Sequence, residues 1–344
     1  MKVGIINVTG YAGVELARLL RRHPEADLVS ITGRGEAGKK LGDVFPHLAE
    51  IDLTITSEVD KSVDVVFSAL PQVASAEAVV PLIRDGVKVV DISADFRLKS
   101  AQLYEQWYKA VHPAPDLLED AVYGLTELNR ADVASAKLVA NPGCYPTGAL
   151  LALAPLVKRG LIEHDIVIDS KSGVSGGGRS LVLTNHYSEV NENVQAYGLD
   201  GHRHLPEITQ ELERMSGDND FRITFVPHLI PMTRGIFTTC YAWPKAGAFA
   251  QGKKGQQDLL DIYRDFYKGE TFVKVASAPA QTKQTWGNND CIVYPTIDKY
   301  NGRLVLTSCI DNLVKGAAGQ AIQNMNLMFG VPEKTGLDYP AIYP

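Results

Sequence analysis

Short apolar runs alternate with segments of helical periodicity over the first 140 residues of the chain. Strands are predicted at residues 2–8, 27–32, 63–70, 88–92 and 137–140, and helices at residues 14–22 and 74–85. The runs at residues 63–67 and 87–92 are largely apolar, as in strands covered on both faces. Because strands and helices that alternate in this way build a parallel sheet wound with helices, the pattern predicts an α/β fold with a Rossmann-like first domain.

The pattern changes after residue 144, where longer strand-like runs surround few helices. Strands are predicted at residues 166–172, 222–226, 236–243, 291–296 and 303–310, helices at residues 145–158, 205–215, 257–267 and 313–329, and an exposed loop at residues 247–256. Such runs favour a mixed or antiparallel sheet in an α+β domain. We expect a first domain at residues 1–143, to which a helix at residues 313–330 returns, and a second domain at residues 144–312.

Composition and charge exclude several classes of protein. The chain has 344 residues, of which 45% are hydrophobic and 22% charged, so each domain can bury a core. A net charge of -6 without a long basic run argues against nucleic acid and anionic membranes as partners. The four cysteines lie far apart without zinc-site spacing, so we expect neither a disulfide scaffold nor a metal site. Met1 leads directly into a strand-like run rather than a signal peptide, which favours the cytoplasm.

A glycine turn connects the first predicted strand to the first predicted helix. Its residues are Gly10, Tyr11, Ala12 and Gly13. Glycines there let a pyrophosphate approach the backbone, and the helix start presents free N–H groups. Asn7 stands where the first glycine of a dinucleotide fingerprint is usual. The alternative is a tight connection without a ligand.

The second predicted strand ends without the acidic residue that an NAD enzyme often places there. Arg34 follows it, with Lys39 and Lys40 nearby. A guanidinium at this position favours the 2′-phosphate of NADP, although a solvated surface arginine is the simpler alternative.

Cys144 is the candidate nucleophile. Pro142 and Gly143 shape a sharp turn, so Cys144 stands at the start of a predicted helix, where the helix dipole favours a thiolate. The other three cysteines lie within or at the start of apolar strand runs, as buried structural cysteines do.

The candidate acid/base is a histidine of the segment at residues 201–207. His202, Arg203 and His204 precede a predicted helix, and Glu207 is three residues beyond His204, where it can orient that imidazole. The alternative is a polar helix start exposed to water. If neither histidine serves, His228 is the next choice.

Two further loops have the composition of ligand loops. Residues 172–179 follow a strand and combine glycines with serines and Arg179, so their N–H groups can bind a phosphate or a carboxylate. Residues 93–97 follow another strand and end in Arg97. A flexible loop is the alternative for both.

Taken together, these segments resemble the N-acetyl-gamma-glutamyl-phosphate reductases of arginine biosynthesis, relatives of aspartate-semialdehyde dehydrogenase. The matching motifs occur in the family's order at residues 10–13, 93–97, 139–148, 172–176, 201–204 and 311–316. Two positions depart from the family's usual pattern, Asn7 in place of a glycine and Gly33 in place of a serine.

The resemblance implies an NADP domain, a catalytic domain inserted before the last helix, and a homodimer or homotetramer. It implies reversible NADPH-dependent reduction of an acyl phosphate to a semialdehyde through a thioester on Cys144, with release of phosphate. The candidate catalytic residues are Cys144, His202, His204 and Glu207. The candidate cofactor contacts are Gly10, Tyr11, Ala12, Gly13, Arg34, Ser68 and Asn312. The candidate substrate contacts are Arg97, Asn141, Ser172, Gly173, Ser175, Gly176 and Arg203.

Two alternatives stay open at this stage. A paralogous reductase of aminoadipyl phosphate or aspartyl phosphate differs only in pocket detail. A regulator that senses NADP without turnover belongs to another class, and the retained Cys144 and histidines argue against it.

Overall fold

The computed structural model describes residues 1–344 and divides into two compact units. Unit 1 comprises residues 1–143 and 317–339, and unit 2 comprises residues 144–316 and 340–344. Each unit is built around one β-sheet.

Unit 1 has six strands and seven helices. Its strands are β1 (Lys2–Ile6), β2 (Asp27–Ile31), β3 (Val65–Ser68), β4 (Lys88–Asp91), β5 (Val122–Tyr123) and β6 (Leu138–Ala140). Its helices are α1 (Tyr11–Leu20), α2 (Leu41–Val44), α3 (Ala74–Arg84), α4 (Ala101–Tyr108), α5 (Leu117–Asp120), α6 (Thr126–Ser135) and α11 (Gly319–Met328).

The six strands are parallel and follow the order β2-β1-β3-β4-β6-β5. The chain leaves β1 in one direction and β3 in the other. The carboxyl ends of these two strands therefore form a topological switch point, the place where open α/β sheets bind ligands. The predicted Rossmann-like domain is confirmed.

Burial on both faces explains the apolar runs in these strands. All four residues of β3 are buried, and so are Val89 and Val90 of β4. Val79 of α3 and Phe96 join Val89 in one hydrophobic cluster on a face of the sheet. Apolar residues with little polar interruption thus predict strands in the middle of a covered sheet.

Helix α11 adds a layer of buried amides to unit 1. Gln320, Gln323, Asn324 and Asn326 are each 0% exposed. Asn324 donates to the carbonyl of Gly124 at 2.8 Å, and a Cβ on Gly124 would collide with the Asn324 side chain. Because buried amides are costly without partners, these bonds fix the position of the helix.

Unit 2 has seven strands and four helices. Its strands are β7 (Ile162–Gly173), β8 (Gln195–Ala196), β9 (Arg222–Ile230), β10 (Ile236–Pro244), β11 (Val273–Val275), β12 (Cys291–Ile297) and β13 (Leu304–Ile310). Its helices are α7 (Cys144–Val157), α8 (Tyr187–Val190), α9 (Leu205–Ser216) and α10 (Gly252–Phe266). The order β11-β12-β13-β10-β7-β9-β8 includes parallel and antiparallel pairs, so the predicted mixed sheet is confirmed.

Helix α7 lies in the core of unit 2. Every residue from Tyr145 to Val157 is buried, as in a helix without a polar face. Ser308 of β13 donates to the Gly148 carbonyl at 2.8 Å, and a Cβ on Gly148 would lie 2.9 Å from the Ser308 hydroxyl. The first turns of the helix are therefore fixed against the sheet.

Two predicted segments differ from the structure. Helix α10 begins at Gly252, so the exposed loop predicted for residues 247–256 is wrong over its second half. Gln256 accepts from the Ile297 backbone N–H at 2.9 Å, and this contact with β12 supports a first turn that is too polar to be recognised as helical. The helix predicted at residues 313–329 is α11 preceded by a π-helical turn, Val314–Ala318. No helix is both long and apolar enough to cross a membrane.

Gly13 provides a test of how α1 packs against the turn after β1. A Cβ at Gly13 would lie 2.7 Å from Val8 Cα and nearer still to the Asn7 carbonyl oxygen. We expect Gly13→Ala to lower the free energy of unfolding by about 2–4 kcal/mol, because backbone atoms cannot yield as side chains do. Urea denaturation followed by circular dichroism measures the change.

Gly35→Ala is the matched control, because a Cβ at Gly35 would meet nothing within 4 Å. We expect its unfolding midpoint to stay at the wild-type value. A Gly13→Ala protein as stable as this control would contradict the packing described for α1.

Candidate active site

The glycine turn after β1 presents backbone N–H groups at the switch point. Asn7 has a φ of 67°, in the left-handed region where glycine and asparagine are favoured. Its side chain donates to the Ala69 carbonyl at 2.8 Å, which links the carboxyl ends of β1 and β3. Helix α1 begins at Tyr11 after Gly10 and has no side-chain cap, so no side chain competes with an anion for its first N–H groups. These residues fit a dinucleotide pyrophosphate.

A buried hydroxyl and carboxylate network lies beside this turn. Ser68, at the end of β3, is 0% exposed and hydrogen-bonds Ser75 at 2.6 Å. Ser75 and Ser93 both donate to the Asp91 carboxylate, each at 2.6 Å. Burial, with the neighbouring charge of Asp95 second, raises the pKa of Asp91 to about 6. The network fixes the loops that follow β3 and β4.

Asp95 holds the loop before α3 in an unusual conformation. Val73 has a φ of 73°, which is rare for a β-branched residue. Its N–H donates to Asp95 at 2.7 Å, and Ala76 N–H donates to the other carboxylate oxygen at 2.8 Å. Tyr104 also donates to Asp95 at 2.7 Å. The sequence motif at residues 93–97 thus stabilises the loop between β3 and α3, which lies at the switch point.

The three cations proposed for a 2′-phosphate differ in their surroundings. Lys39 pairs with Glu36 at 2.6 Å, and Lys40 pairs with Asp52 at 2.8 Å. Arg34 is exposed at the start of a short 3-10 turn after β2. Its guanidinium is therefore the cation best placed to receive a phosphate there.

Arg97 and Asn141 stabilise the turn that precedes Cys144. Arg97 is 6% exposed and donates through Nε to the Asn141 carbonyl and through a terminal nitrogen to the Ile92 carbonyl, both at 2.8 Å. The Asn141 side chain donates to the Ala317 carbonyl at 3.2 Å and accepts from Asn324 at 3.1 Å. Both predicted substrate residues are thus buried in unit 1 and bonded to its backbone.

Cys144 is the first residue of α7. The helix N-terminus stabilises a negative charge on its sulfur. Gly316 approaches so closely that a Cβ there would lie 2.9 Å from Cys144 Cβ. Cys144 is partly exposed, whereas Cys240, Cys291 and Cys309 are buried. Burial raises the pKa of Cys309 to about 11 and that of Cys240 higher still, so these thiols stay protonated.

Two tyrosine hydroxyls, which the sequence analysis missed, meet beside the start of α7. Tyr197 donates to Tyr145 at 2.9 Å, and Tyr145 donates to the His228 carbonyl at 3.3 Å. Burial raises the pKa of Tyr197 to about 12, and burial together with the charges of Tyr197 and Cys144 raises that of Tyr145 further. Both hydroxyls are therefore protonated at neutral pH.

His202 packs inside an aromatic cluster around Tyr145. Its ring centroid lies 5.7 Å from Tyr145, 5.4 Å from Tyr197 and 5.4 Å from Phe225. Its Nδ1 accepts from the backbone N–H of His204 at 3.1 Å. Burial, assisted by the charge of Arg203, lowers the pKa of His202 to about 4. His202 is therefore neutral at pH 7, with the proton assigned to Nε2 by this hydrogen bond.

His204 lies at the N-cap of α9, and its ring centroid is 4.8 Å from His202 and 5.8 Å from Tyr145. Both predicted histidines thus contact the residue that follows Cys144. Glu207 is in the first turn of α9 and is 1% exposed, whereas Arg203 is exposed.

His228 is placed differently. Its Nδ1 lies 3.2 Å from a carboxylate oxygen of Asp169 on the neighbouring strand β7, and Asp169 also pairs with Lys171 at 2.7 Å. The backbone carbonyl of His228 is the part that reaches Tyr145.

The loop after β7 is attached to the residues that follow β13. Asn312 donates to Ser175 at 2.9 Å and accepts from the Gly235 N–H at 2.8 Å. Gly173 donates to the Gly235 carbonyl at 2.9 Å, and a Cβ at Gly176 would lie 3.2 Å from the Ser172 hydroxyl. Ser172 in turn hydrogen-bonds the Tyr145 side chain. The predicted substrate serines and Asn312 thus join the surroundings of α7.

Asp311 and Arg234 form an ion pair that the sequence analysis did not predict. Asp311 is 0% exposed and lies 3.4 Å from the guanidinium of Arg234. It also accepts from the N–H groups of Leu313, Val314 and Gly287 at 2.8–3.1 Å. Arg234 lies between the strands predicted at residues 222–226 and 236–243, and Asp311 opens the motif at residues 311–316, but neither signal pairs the two residues. No group of His, Cys, Asp or Glu side chains is arranged to hold a metal ion.

Comparison with known proteins assigns each half of the chain. The sequence model of the semialdehyde dehydrogenase NAD-binding domain matches residues 2–136, and that of the semialdehyde dehydrogenase dimerisation domain matches residues 144–312. N-acetyl-gamma-glutamyl-phosphate reductase of Dehalococcoides mccartyi is 54% identical over 100% of this chain and 99% of its own. That of Pelotomaculum thermopropionicum is 51% identical with the same coverage.

The chain belongs to the N-acetyl-gamma-glutamyl-phosphate reductase family. Solved structures of semialdehyde dehydrogenases share its fold. Aspartate semialdehyde dehydrogenase II of Vibrio cholerae covers 96% of this chain and 98% of its own at 16% identity, with a TM-score of 0.69. Aspartate semialdehyde dehydrogenase of Candida albicans, solved with NADP, covers 95% of this chain and 98% of its own at 15% identity, with a TM-score of 0.63. The resemblance read from the motifs is confirmed, and unit 1 contains the family's nucleotide-binding domain.

Proposed function

We propose that this protein is an NADP-dependent N-acetyl-gamma-glutamyl-phosphate reductase of arginine biosynthesis. It would reduce the acyl phosphate to N-acetylglutamate 5-semialdehyde and release phosphate. The observation that carries the proposal is the partly exposed thiol of Cys144 at the N-terminus of α7, beside two imidazoles, in a chain 54% identical to reductases of that name.

Cys144 acts as both nucleophile and leaving group. Its thiolate attacks the acyl carbon, a C–S bond forms, and the C–O bond to phosphate breaks with the electron pair leaving on phosphate. NADPH, when bound, supplies the hydride that reduces the resulting thioester. The C–S bond of the reduced adduct then breaks, which releases the aldehyde and restores the thiolate. A reducing compartment such as the cytoplasm suits a nucleophile of this kind.

His204 is the acid/base in this proposal. His202 accepts the His204 backbone N–H at Nδ1 and stays neutral, so it serves better to pack the tyrosines and donate through Nε2. His204 can take the thiol proton, give it to the substrate oxygen when the reduced adduct forms, and take it back when the C–S bond breaks. Glu207 remains the proposed orienting group.

The cofactor site lies at the switch point of unit 1. The N–H groups of residues 10–13 would bind the pyrophosphate of the cofactor, and Arg34 would bind its 2′-phosphate. Ser68 would hold the loop after β3 against the nicotinamide half of the cofactor. In unit 2, Asn312 offers a second amide hydrogen besides the one it gives to Ser175.

Substrate contacts are proposed at Ser172, Gly173, Ser175, Gly176 and Arg203 in unit 2, and at Arg97 and Asn141 in unit 1. Exposed Arg203 suits a carboxylate. The match of residues 144–312 to a dimerisation domain supports a homodimer or homotetramer.

Cys144→Ser tests the proposed function. We expect the rate of NADP reduction by the semialdehyde to fall at least about 10,000-fold, because a serine hydroxyl does not ionise at neutral pH. NADP binding and the unfolding midpoint should stay unchanged. Phosphate-dependent reduction of NADP with N-acetylglutamate semialdehyde measures the rate. Aspartate and aminoadipate semialdehydes are the control substrates.

Iodoacetamide labelling with peptide mapping gives an independent check. Cys144 should react first, since the other cysteines are buried. Turnover retained by the serine variant, or earlier labelling of Cys240, would contradict the nucleophile. Faster turnover of a control substrate would replace the proposed substrate with that one.

The two histidines should separate in their pH dependence. Since the pKa of His202 is about 4, its protonation cannot cause a fall in rate near neutral pH. We expect His204→Asn to lower kcat about 100- to 10,000-fold and to remove the acidic limb of the kcat profile. His202→Asn should keep that limb and mainly raise KM.

Acid unfolding checks the state of His202 without substrate. Its folded pKa of about 4 lies below the ordinary histidine value of 6.5, so the unfolded chain binds the proton more tightly between these values. The free energy of unfolding therefore falls as the pH falls from 6.5 towards 4, and it should fall less in His202→Asn.

In the kinetic experiment, loss of the acidic limb in His202→Asn instead of His204→Asn would reverse the assignment.

Arg34→Ala tests cofactor choice. We expect the Kd for NADP to rise about 10- to 100-fold, since charged hydrogen bonds to the 2′-phosphate are lost, while the Kd for NAD changes little. Lys40→Ala is the matched control, because Lys40 already pairs with Asp52. Fluorescence titration gives both constants, and equal losses for NADP and NAD would contradict a 2′-phosphate contact.

A further inference from the structure

The peptide group between Trp286 and Gly287 is hydrogen-bonded on both sides. Its N–H, which belongs to Gly287, donates to a carboxylate oxygen of Asp311 at 2.8 Å. Its carbonyl, which belongs to Trp286, accepts from the Ile342 backbone N–H at 2.8 Å. A donor on the carbonyl polarises a peptide and strengthens the bond that its N–H makes, so the two bonds support each other.

The side chain of Trp286 reaches the other member of the same ion pair. Trp286 is half-buried, and its Nε1 donates to the Arg234 carbonyl at 2.9 Å. The guanidinium of Arg234 lies 3.4 Å from Asp311. Two consecutive residues of one turn therefore hold Asp311 through its carboxylate and Arg234 through its backbone.

Local structure fixes where this turn lies. Gly287 has a φ of 74°, in the left-handed region that favours glycine. The 3-10 turn Thr282–Thr285 precedes Trp286, and Thr285 is 0% exposed. Its hydroxyl lies 3.6 Å from the sulfur of Cys309 on β13. The turn is thus attached to the strand that leads into Asp311.

Asp311 connects this turn to the candidate nucleophile through both its carboxylate and its carbonyl. The carboxylate accepts the N–H groups of Leu313 and Val314, and the carbonyl accepts the N–H of Gly316 at 2.9 Å. A Cβ on Gly316 would lie 2.9 Å from the Cβ of Cys144. The position of Asp311 therefore sets the position of the backbone beside Cys144.

Ile342 belongs to residues 340–344, which return to unit 2 after the chain has passed through unit 1. Its Cδ1 would lie 3.2 Å from a Cβ on Gly287, but Ile342 as a whole is 67% exposed. The backbone bond to Trp286, rather than apolar burial, is therefore its main contact with the turn. A substitution at this position can remove that bond without opening a cavity.

We propose that Trp286 is a positioning residue for Cys144, and that the backbone N–H of Ile342 holds Trp286 in this role. The hydrogen-bonded path leads from Ile342 through the Trp286 peptide to Asp311, and from Asp311 through Gly316 to Cys144. The start of α7 stabilises a thiolate only while the sulfur stays close to the free N–H groups there. Loss of the Ile342 bond would let the turn move and would lower the fraction of Cys144 that is thiolate at a given pH.

Ile342→Pro removes the N–H on which the path depends. We expect iodoacetamide to alkylate Cys144 about 2- to 5-fold more slowly at pH 7, the size of a helix-dipole effect on one charge. The midpoint of the rate profile against pH should move upward, which a general loss of stability would not cause. Alkylation with peptide mapping across a pH series measures the profile.

Ile342→Ala is the matched control, because it keeps the backbone N–H and removes only an exposed side chain. Its alkylation profile should match that of the wild type. A wild-type profile in Ile342→Pro, or the same shift in Ile342→Ala, would overturn the role of the Ile342 N–H.

Trp286→Phe tests the second bond and decides the proposal if the proline variant does not fold. It keeps an aromatic ring and removes the Nε1–H that donates to the Arg234 carbonyl. We expect the profile of Cys144 alkylation to move in the same direction. Trp243→Phe is the matched control, because Trp243 lies on β10 with the Arg303 guanidinium 5.1 Å from its ring. A shift of equal size in both variants, or in neither, would overturn the positioning role of Trp286.

Turnover is the one measurement here that rests on the proposed function. We expect kcat for NADP reduction by the semialdehyde to fall in Ile342→Pro by the same factor as the alkylation rate, with the KM for NADP unchanged. An unchanged kcat beside slower alkylation would overturn the link to catalysis. If the wild type itself reduces NADP with none of the semialdehydes, the proposed function fails, while the alkylation profiles still decide the positioning role.

Discussion

The buried carboxylate of Asp311 is the group on which the geometry around Cys144 depends. It accepts the N–H groups of Leu313 and Val314 at the start of the π-helical turn and also pairs with Arg234. That turn carries Gly316 against the Cβ of Cys144, where a larger residue would displace the sulfur. A buried carboxylate without these donors would be very costly, so the turn and the charge stabilise each other. Asn312, the next residue, ties the loop after β7 to the same point.

In unit 1, polar groups at the carboxyl end of the sheet hold the loops in place. Apolar strands create the sheet, but the loops that emerge from it must be held without filling the ligand crevice. The loops are held by the Asn7 amide, by the serines around Asp91 and by the three donors to Asp95. The strained φ of Val73 persists because Asp95 holds the residue there. Backbone N–H groups above the network are then available to an anion.

The sequence predicted those features of the fold and the site that depend on residues close together in the chain. A helix start after Pro142 and Gly143 predicts where Cys144 stands, and the apolar runs predict both sheets. The hydroxyl pair of Tyr145 and Tyr197 spans 52 residues, and the pair of Arg234 and Asp311 spans 77, so no spacing rule reaches them. Asn7 departs from the glycine fingerprint, yet its left-handed φ shows that asparagine meets the same conformational need. Helix α10 was partly missed because contacts with β12, not its own polar sequence, support its first turn.

The aromatic cluster explains why two adjacent histidines need not share a role. A ring packed between Tyr145, Tyr197 and Phe225 loses hydration that the imidazolium would need, and the charge of Arg203 adds to that cost. His202 therefore gains packing at the expense of titration near neutral pH. His204, at the helix start, contacts both His202 and the same tyrosine. A single substitution that opened the cluster to water would raise the pKa of His202, so the roles proposed for the two imidazoles depend on the packing around them.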